Sequence, residues 1–193
     1  MKRILILVVV VVVVVVVAVS CSTRNDVDIK DYPIVTTINE LSDYYGLKID
    51  NSGKYETTSI TNYFDGSSEL EYAYELLESE EYDPLFYSIT IEKERTIKDA
   101  KEVYWLGKGA VELVGNSFDQ GTIEIDSLQL PGDDSYYALR TLEGEPNGMF
   151  YIVRKGTTIY SMMLSGIYTS DHSLITDLLI PKITHLEEFE IIK

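Results

Sequence analysis

The sequence predicts an α+β fold, a mainly antiparallel sheet flanked by two or three helices. Segment 69–77 alternates apolar and polar side chains, which is the pattern of a half-buried strand. The residues after Thr96 instead place apolar side chains three and four positions apart, as a helix does. Short connections rich in Gly, Pro, Asn and Asp separate the later strand segments. Connections this short favour antiparallel neighbours.

The first half of the chain predicts one helix followed by three strands. Thr37 and Glu40 form a capping-box pattern at the start of helix 36–47, and Gly46 supplies a stop signal. Apolar residues at helical spacing predict one inward side for this helix: Ile38, Leu41, Tyr44 and Tyr45. The strand segments are 55–63, 69–77 and 85–92.

The second half predicts a long helix, four strands and a last helix. Thr96 and Asp99 begin the long helix, which ends at Gly115, and its inward residues are predicted to be Ile97, Ala100, Tyr104, Gly107, Val111 and Val114. The strand segments are 122–130, 136–142, 149–154 and 158–164, separated by predicted turns at 131–134, 145–148 and 155–156.

The last predicted helix covers residues 171–189, with five residues facing inward: Leu174, Leu178, Ile183, Leu186 and Phe189. Pro181 lacks a backbone N–H and is expected to kink this helix near Asp177.

The amino terminus has the composition of an export signal. Lys2 and Arg3 precede the 16 apolar residues of 4–19, a length that suits a signal and falls short of the ~20 residues of a spanning helix. Exported domains normally pair their cysteines in disulfides. Cys21 is the only cysteine of this chain, so no disulfide is expected. An uncut amino-terminal anchor and a freely secreted product remain as alternatives.

The residues Ala18-Val19-Ser20-Cys21 resemble the bacterial lipobox. The resemblance implies that diacylglycerol is attached to the Cys21 thiol and that the signal is cut before it. The chain then divides into a signal peptide at 1–20, a polar tether with the lipidated cysteine at 21–31, and one globular domain at 32–193. The implied location is the cell envelope, on the outer side of the cytoplasmic membrane or on an outer membrane. Ser22, rather than Asp, favours the outer membrane where there is one.

The charge of the chain limits its partners. The formal net charge is −16, and removal of the signal, with Lys2 and Arg3, makes it more negative. Nucleic acid binding needs a basic face, so nucleic acid is not an expected partner. The expected partners are the membrane, through Cys21, and an envelope protein.

No catalytic or metal-binding pattern stands out, and no cofactor is expected. The two histidines, His172 and His185, lack the spacing of a helical metal pair. Residues 65–71 carry alternating oxygen side chains, but a hairpin turn explains them better than a calcium loop. The adjacent acids Asp133-Asp134 and Glu187-Glu188 do not by themselves indicate a catalytic pair.

The order of elements is similar to the PsbP-like fold, which several small exported lipoproteins share. Strand 85–92 leads into the long helix, and hairpin 150–156 leads towards the terminal helix. The resemblance covers about residues 69–190 and implies no particular activity.

Three functions are compatible with these observations. The first is a non-catalytic, membrane-anchored module that binds a protein partner or assists envelope assembly. The second is a lipoprotein whose sheet binds a small molecule or glycan through an aromatic surface, with four candidate residues: Tyr72, Tyr74, Tyr87 and Tyr151. The third, less favoured, is a hydrolase.

Overall fold

The computed structural model describes residues 22–46, 54–76, 85–115, 120–125, 131–167 and 172–191. They form one eight-stranded antiparallel sheet in the order β1-β2-β3-β4-β8-β7-β6-β5. The strands are β1 (Ser22–Asp26), β2 (Lys54–Tyr63), β3 (Ser68–Leu76), β4 (Leu85–Lys93), β5 (Gln120–Glu124), β6 (Asp134–Leu142), β7 (Glu145–Lys155) and β8 (Thr158–Ser165). The α-helices are α1 (Ile38–Tyr45), α2 (Ile97–Gly115) and α3 (Ile180–Ile183). The predicted α+β class fits this architecture.

The sheet consists of two four-stranded halves. Strands β1 to β4 follow one another in one half, and β5 to β8 follow one another in the other. The halves meet where β4 pairs with β8, from Phe86 opposite Ser165 to Lys93 opposite Thr158. Helix α2 follows β4, and the chain then reaches the far edge of the sheet at β5.

The amino-terminal segment differs from its prediction as a tether. Residues Ser22–Asp26 form β1, which pairs along β2 from Ser22 opposite Tyr63 to Asp26 opposite Ser59. A short 3₁₀ turn, Ile29–Asp31, follows. The polar composition suggested a coil, but β1 is an edge strand, and its exposed polar side chains suit that position.

The inner face of the sheet carries the larger core. Alternate residues of β3 and β4 point to this face. The alternation predicted for 69–77 is confirmed, because its apolar positions are buried: Leu70, Tyr72, Tyr74 and Leu76. Helix α1 covers part of this face. Its capping box between Thr37 and Glu40 is formed, and Gly46 ends it in a left-handed conformation with φ 65°.

Helix α2 packs on the outer face of the second half of the sheet. Ala100 and Tyr104 are buried there against Tyr136, Ala138 and Ile152. The predicted Thr96 cap is confirmed, because Thr96 Oγ1 accepts from the Asp99 N–H at 3.1 Å. Ile97 was predicted to face inward and this is wrong: it is 54% exposed at the start of the helix.

The predicted turn at 145–148 is wrong, because β7 already begins at Glu145. The chain reverses earlier, at Glu143 and Gly144, which both have positive φ. Residues 146–148 instead contain a β-bulge, since Pro146 lies opposite Thr141 and Gly148 lies opposite Arg140. Pro and Gly mark bulges as well as turns, which explains the error.

The predicted single helix over 171–189 is also wrong. Leu174–Leu179 form a π-helix, which α3 and a 3₁₀ turn, Leu186–Glu188, continue. The π-helical turn ends at Leu179, two residues before Pro181, whose missing N–H interrupts α-helical bonding. We call residues 174–188 the C-terminal helical segment. The five residues predicted to face inward are buried or half-buried against the inner core.

Two further boundaries differ from the predictions. Strand 122–130 was predicted, whereas β5 ends at Glu124, and residues 126–130 lie outside the described residues. Leu77, the predicted end of β3, also lies outside them.

The bulge provides a test of the fold at Gly148. Its φ is 139°, and a Cβ there would overlap the Leu164 carbonyl of β8. We expect Gly148→Ala to lower the free energy of unfolding by at least ~2 kcal/mol, because steric overlap and backbone strain combine. Denaturant unfolding measures the change.

Gly109→Ala is the matched control. Gly109 lies in α2 with nothing within 4 Å of its potential Cβ. This substitution should leave stability unchanged or raise it by about 1 kcal/mol. Equal stability of the two variants would contradict the bulge geometry.

Candidate functional site

The four tyrosines predicted to form an aromatic binding surface lie in the inner core. Tyr72, Tyr74, Tyr87 and Tyr151 are each 0% exposed. The rings of Tyr72 and Tyr87 meet edge to face at 6.0 Å. Tyr151 packs against Tyr160 at 6.3 Å. None of the four rings lines a surface open to solvent.

Two tyrosine hydroxyls bind the chain around the start of α1. Tyr72 Oη accepts from the Ile38 N–H at 2.9 Å and donates to Glu56 Oε1 at 2.9 Å. Tyr87 Oη donates to the Thr36 carbonyl at 2.9 Å. Burial raises the pKa of both phenols, so they stay neutral and keep their protons. These tyrosines therefore fix α1 on the sheet, a role that the sequence did not indicate.

Glu40 joins α1 to the C-terminal helical segment. Its carboxylate accepts from the Thr37 N–H at 2.8 Å and from Lys182 Nζ at 2.7 and 2.8 Å. Lys182 also donates to the Val35 carbonyl at 2.9 Å. Burial alone would raise the pKa of Glu40, but the hydrogen bonds from Lys182 and Thr37 outweigh it and lower that pKa. These bonds hold α1 and the C-terminal helical segment, which cover the inner core, in place.

The outer face of the first half of the sheet carries neighbouring carboxyl groups. Glu69 of β3 lies directly opposite Glu92 of β4, and Tyr63 Oη donates to Glu69 Oε2 at 2.9 Å. Burial, with repulsion from Glu69 and Glu94, raises the pKa of Glu92 to about 8. Burial also raises the pKa of Glu69. Glu92 is thus protonated at neutral pH. The sequence did not reveal this pair, because register between strands cannot be read from either strand alone.

The acid pair Asp133-Asp134 binds a buried arginine. Asp133 Oδ2 lies 2.9 Å from Arg154 Nη1, and Asp134 Oδ2 lies 2.6 Å from Arg154 Nη2. The Arg154 side chain is 3% exposed, and its Nη1 also donates to the Gly156 carbonyl at 2.8 Å. Two carboxylates therefore neutralise one buried cation, which is a structural role.

The two histidines do not lie together, and each contacts a different side chain. His172 Nδ1 is 2.9 Å from Tyr137 Oη, and the two rings meet edge to face. His185 lies on the surface, 3.6 Å from Glu188 Oε1. Within the described ranges, no three His, Cys, Asp or Glu side chains are grouped to hold a metal ion.

A shallow groove of about 320 Å³ opens beside the C-terminal helical segment. It is lined by Pro33, Ile34, Lys182, His185, Glu188 and Phe189. Small-molecule sites are usually enclosed clefts of about 300–1,000 Å³. This groove has a volume at the low end of that range and is open to solvent, so it does not resemble such a site.

The outward side of α2 exposes large apolar side chains. Trp105 is 59% exposed, Leu106 is 73% exposed and Leu113 is 68% exposed. Leu106 and Leu113 lie two helical turns apart on the same side of the helix. We call these three residues the α2 surface. Clustered exposed apolar residues with an aromatic member are typical of protein-binding surfaces.

The lipid-attachment cysteine predicted at Cys21 lies outside the described residues, which begin at its neighbour Ser22. No helix in the described part of the chain is both long and apolar enough to cross a bilayer.

Comparison with protein-family models, with curated proteins and with solved structures found no match to this chain.

The protonation of Glu92 predicts a pH dependence of stability. Its pKa in the folded state is about 8, above the ordinary value of 4.5, so folding binds a proton between these values. Stability should therefore fall as pH rises from about 4.5 to about 8. Glu92→Gln should reduce this slope and raise the free energy of unfolding at pH 9 by roughly 1–4 kcal/mol.

Denaturant unfolding from pH 5 to pH 9 tests this. Glu102→Gln, which removes an exposed carboxylate from α2, is the control and should keep the wild-type slope. A parallel pH profile for Glu92→Gln and wild type would show that the carboxyl is not protonated in the folded protein.

Proposed function

We propose that this protein is an exported lipoprotein anchored in the cell envelope through Cys21, on the outer side of the cytoplasmic membrane or on an outer membrane. Three features of the sequence support the proposal: the basic head at Lys2 and Arg3, the apolar run that follows it, and small residues before the only cysteine. Two or more acyl chains on the mature cysteine would make the anchoring stable.

We further propose that the domain is a non-catalytic module that binds an envelope protein through the α2 surface, or assists envelope assembly by doing so. The carrying observation is the exposure of Trp105, Leu106 and Leu113 on one helix. Tryptophan and long aliphatic side chains suit the desolvated centre of an interface. Lys98 and Glu102, both well exposed, would lie at its polar rim.

The binding of a small molecule or glycan by the four tyrosines is not favoured, because all four rings are buried. The hydrolase hypothesis gains no support from Asp133 and Asp134, since both carboxylates bind Arg154.

We also propose that the domain has a PsbP-like layout. The passage from β4 into α2 supports it, as does the β7–β8 hairpin that precedes the C-terminal helical segment. The proposal concerns architecture alone, because folds of this kind serve many roles.

Mass spectrometry of the protein from its host tests the anchor. We expect a mature chain that begins at Cys21 and carries the added mass of diacylglycerol and an acyl group. Cys21→Ser should leave an unprocessed precursor without lipid, because the acceptor thiol is gone. An intact chain beginning at Met1, or a mature chain with the mass of bare polypeptide, would contradict the proposal.

Site-specific photo-crosslinking in the host tests the partner surface. A photoreactive residue at Leu106 should give a crosslink to one envelope protein. The same residue at His185, which is 74% exposed beyond the opposite face of the sheet, should not. In a chain with the photoreactive residue at Trp105, Leu106→Gln with Leu113→Gln should abolish the crosslink, because the apolar contact is lost. Equal crosslinking from both positions would count against a specific surface.

A further inference from the structure

The chain enters the sheet without a spacer after Cys21. Ser22 is already the first residue of β1, opposite Tyr63. One peptide link, about 3.8 Å between Cα atoms, separates Ser22 from Cys21. Whatever holds Cys21 at a membrane therefore holds this end of the sheet close to the same membrane. We call it the anchor end.

The turn between β2 and β3 lies at the anchor end and presents an aromatic ring. Phe64 directly follows Tyr63 and is 82% exposed, more than the other large hydrophobic residues described. The turn is well bonded: the Tyr63 N–H donates to the Ser67 carbonyl, and the Gly66 N–H donates to the Tyr63 carbonyl, both at 3.0 Å. Phe64 is thus held outward by an ordered turn.

A side-chain bond also fixes the same turn. Asp65 Oδ1 accepts from the Ser67 N–H at 2.9 Å and from Ser67 Oγ at 2.7 Å. These bonds lower the pKa of Asp65, so its carboxylate stays charged and remains bonded to Ser67. A Cβ at Gly66 would lie 3.6 Å from Arg95 Cδ, which places the Arg95 side chain over the turn.

The start of α2 adds a second apolar side chain and a second cation at the anchor end. Ile97 is 54% exposed, although its position on the helix predicted burial. Lys98 follows it with a side chain that is 82% exposed. Arg95 and Lys98 lie here among the acids Asp65, Glu94 and Asp99, and Lys98 Nζ lies 3.6 Å from Glu102 Oε1. This end of the sheet thus presents two exposed apolar side chains, Phe64 and Ile97, beside charged groups of both signs.

We propose that Phe64 and Ile97 contact the lipid surface that holds the anchor, with Phe64 inserted between the headgroups. This inference rests on the proposed membrane anchoring but not on the α2 surface. Aromatic rings are favoured at the boundary between headgroups and acyl chains. The anchor makes the contact intramolecular, so two apolar side chains suffice.

Fluorescence of the full chain in liposomes tests the contact. With diacylglycerol attached to its sulfur, Cys21 takes no thiol label, so Phe64→Cys can be labelled with a polarity-sensitive nitrobenzoxadiazole probe. The protein is inserted into vesicles of phosphatidylethanolamine and phosphatidylglycerol and recovered by flotation. At position 64 we expect emission at shorter wavelength, strong quenching by nitroxide-labelled lipid and little quenching by aqueous iodide.

Leu113→Cys is the matched control, because Leu113 is 68% exposed near the other end of α2. Its probe should respond to iodide and not to the lipid quencher. Flotation with identical responses at positions 64 and 113 would overturn the lipid contact and leave the anchor intact. Protection at position 64 that grows with the protein-to-lipid ratio would indicate a second copy and would overturn it as well. Failure to float would overturn both the anchoring and the contact.

Discussion

The pairing of β4 with β8 is the constraint on which the rest of the structure depends. It joins two four-stranded halves that are continuous in sequence into one sheet. It also brings Tyr87 beside Leu164 and Ile91 beside Tyr160, so that both halves contribute to one inner core. These partners are distant in sequence, and such contacts form only after the entropy of a long loop has been lost. Helix α1 and the C-terminal helical segment cover this core. They have a continuous surface to pack on only when β4 is paired with β8.

Tyr72 and Tyr87 take part in the attachment of this cover. A phenylalanine at position 72 or 87 would fill the same volume but would leave the backbone at Ile38 and Thr36 without the bonds that the hydroxyls make. Tyrosine provides apolar area together with a polar tip at a fixed distance. The inner core therefore uses rings both to exclude water and to hold the chain that closes it, which explains why these residues are not available as a binding surface.

Local signals predicted much of the fold. The caps at Thr37 and Thr96 and the alternation in β3 depend on residues only a few positions apart, and all three are confirmed. Interactions between distant segments were missed. The strand at Ser22–Asp26 is stabilised by pairing with β2, which its own polar sequence does not reveal. Gly148 resembled a turn residue because bulges and turns share the same need for positive φ.

The candidate sites also differ in whether local sequence or contacts between distant segments reveal them. Cys21 was found from local sequence, and its lipidation stays a prediction. The α2 surface was not predicted, although Leu106 and Leu113 fall outside the apolar side predicted to face inward. The pairing of Glu69 with Glu92 needed the register between two strands, and the raised pKa of Glu92 follows from that register and from burial.

The position of β1 also determines how the domain resists mechanical force. Hydrogen bonds in an antiparallel pair run across the strands. A pull on the chain before Ser22 along the strand axis therefore strains all five β1–β2 residue pairs at once, in shear. A pull away from the sheet edge breaks the same pairs one after another, as in unzipping. The direction of tension, rather than its size alone, thus decides whether this strand stays attached.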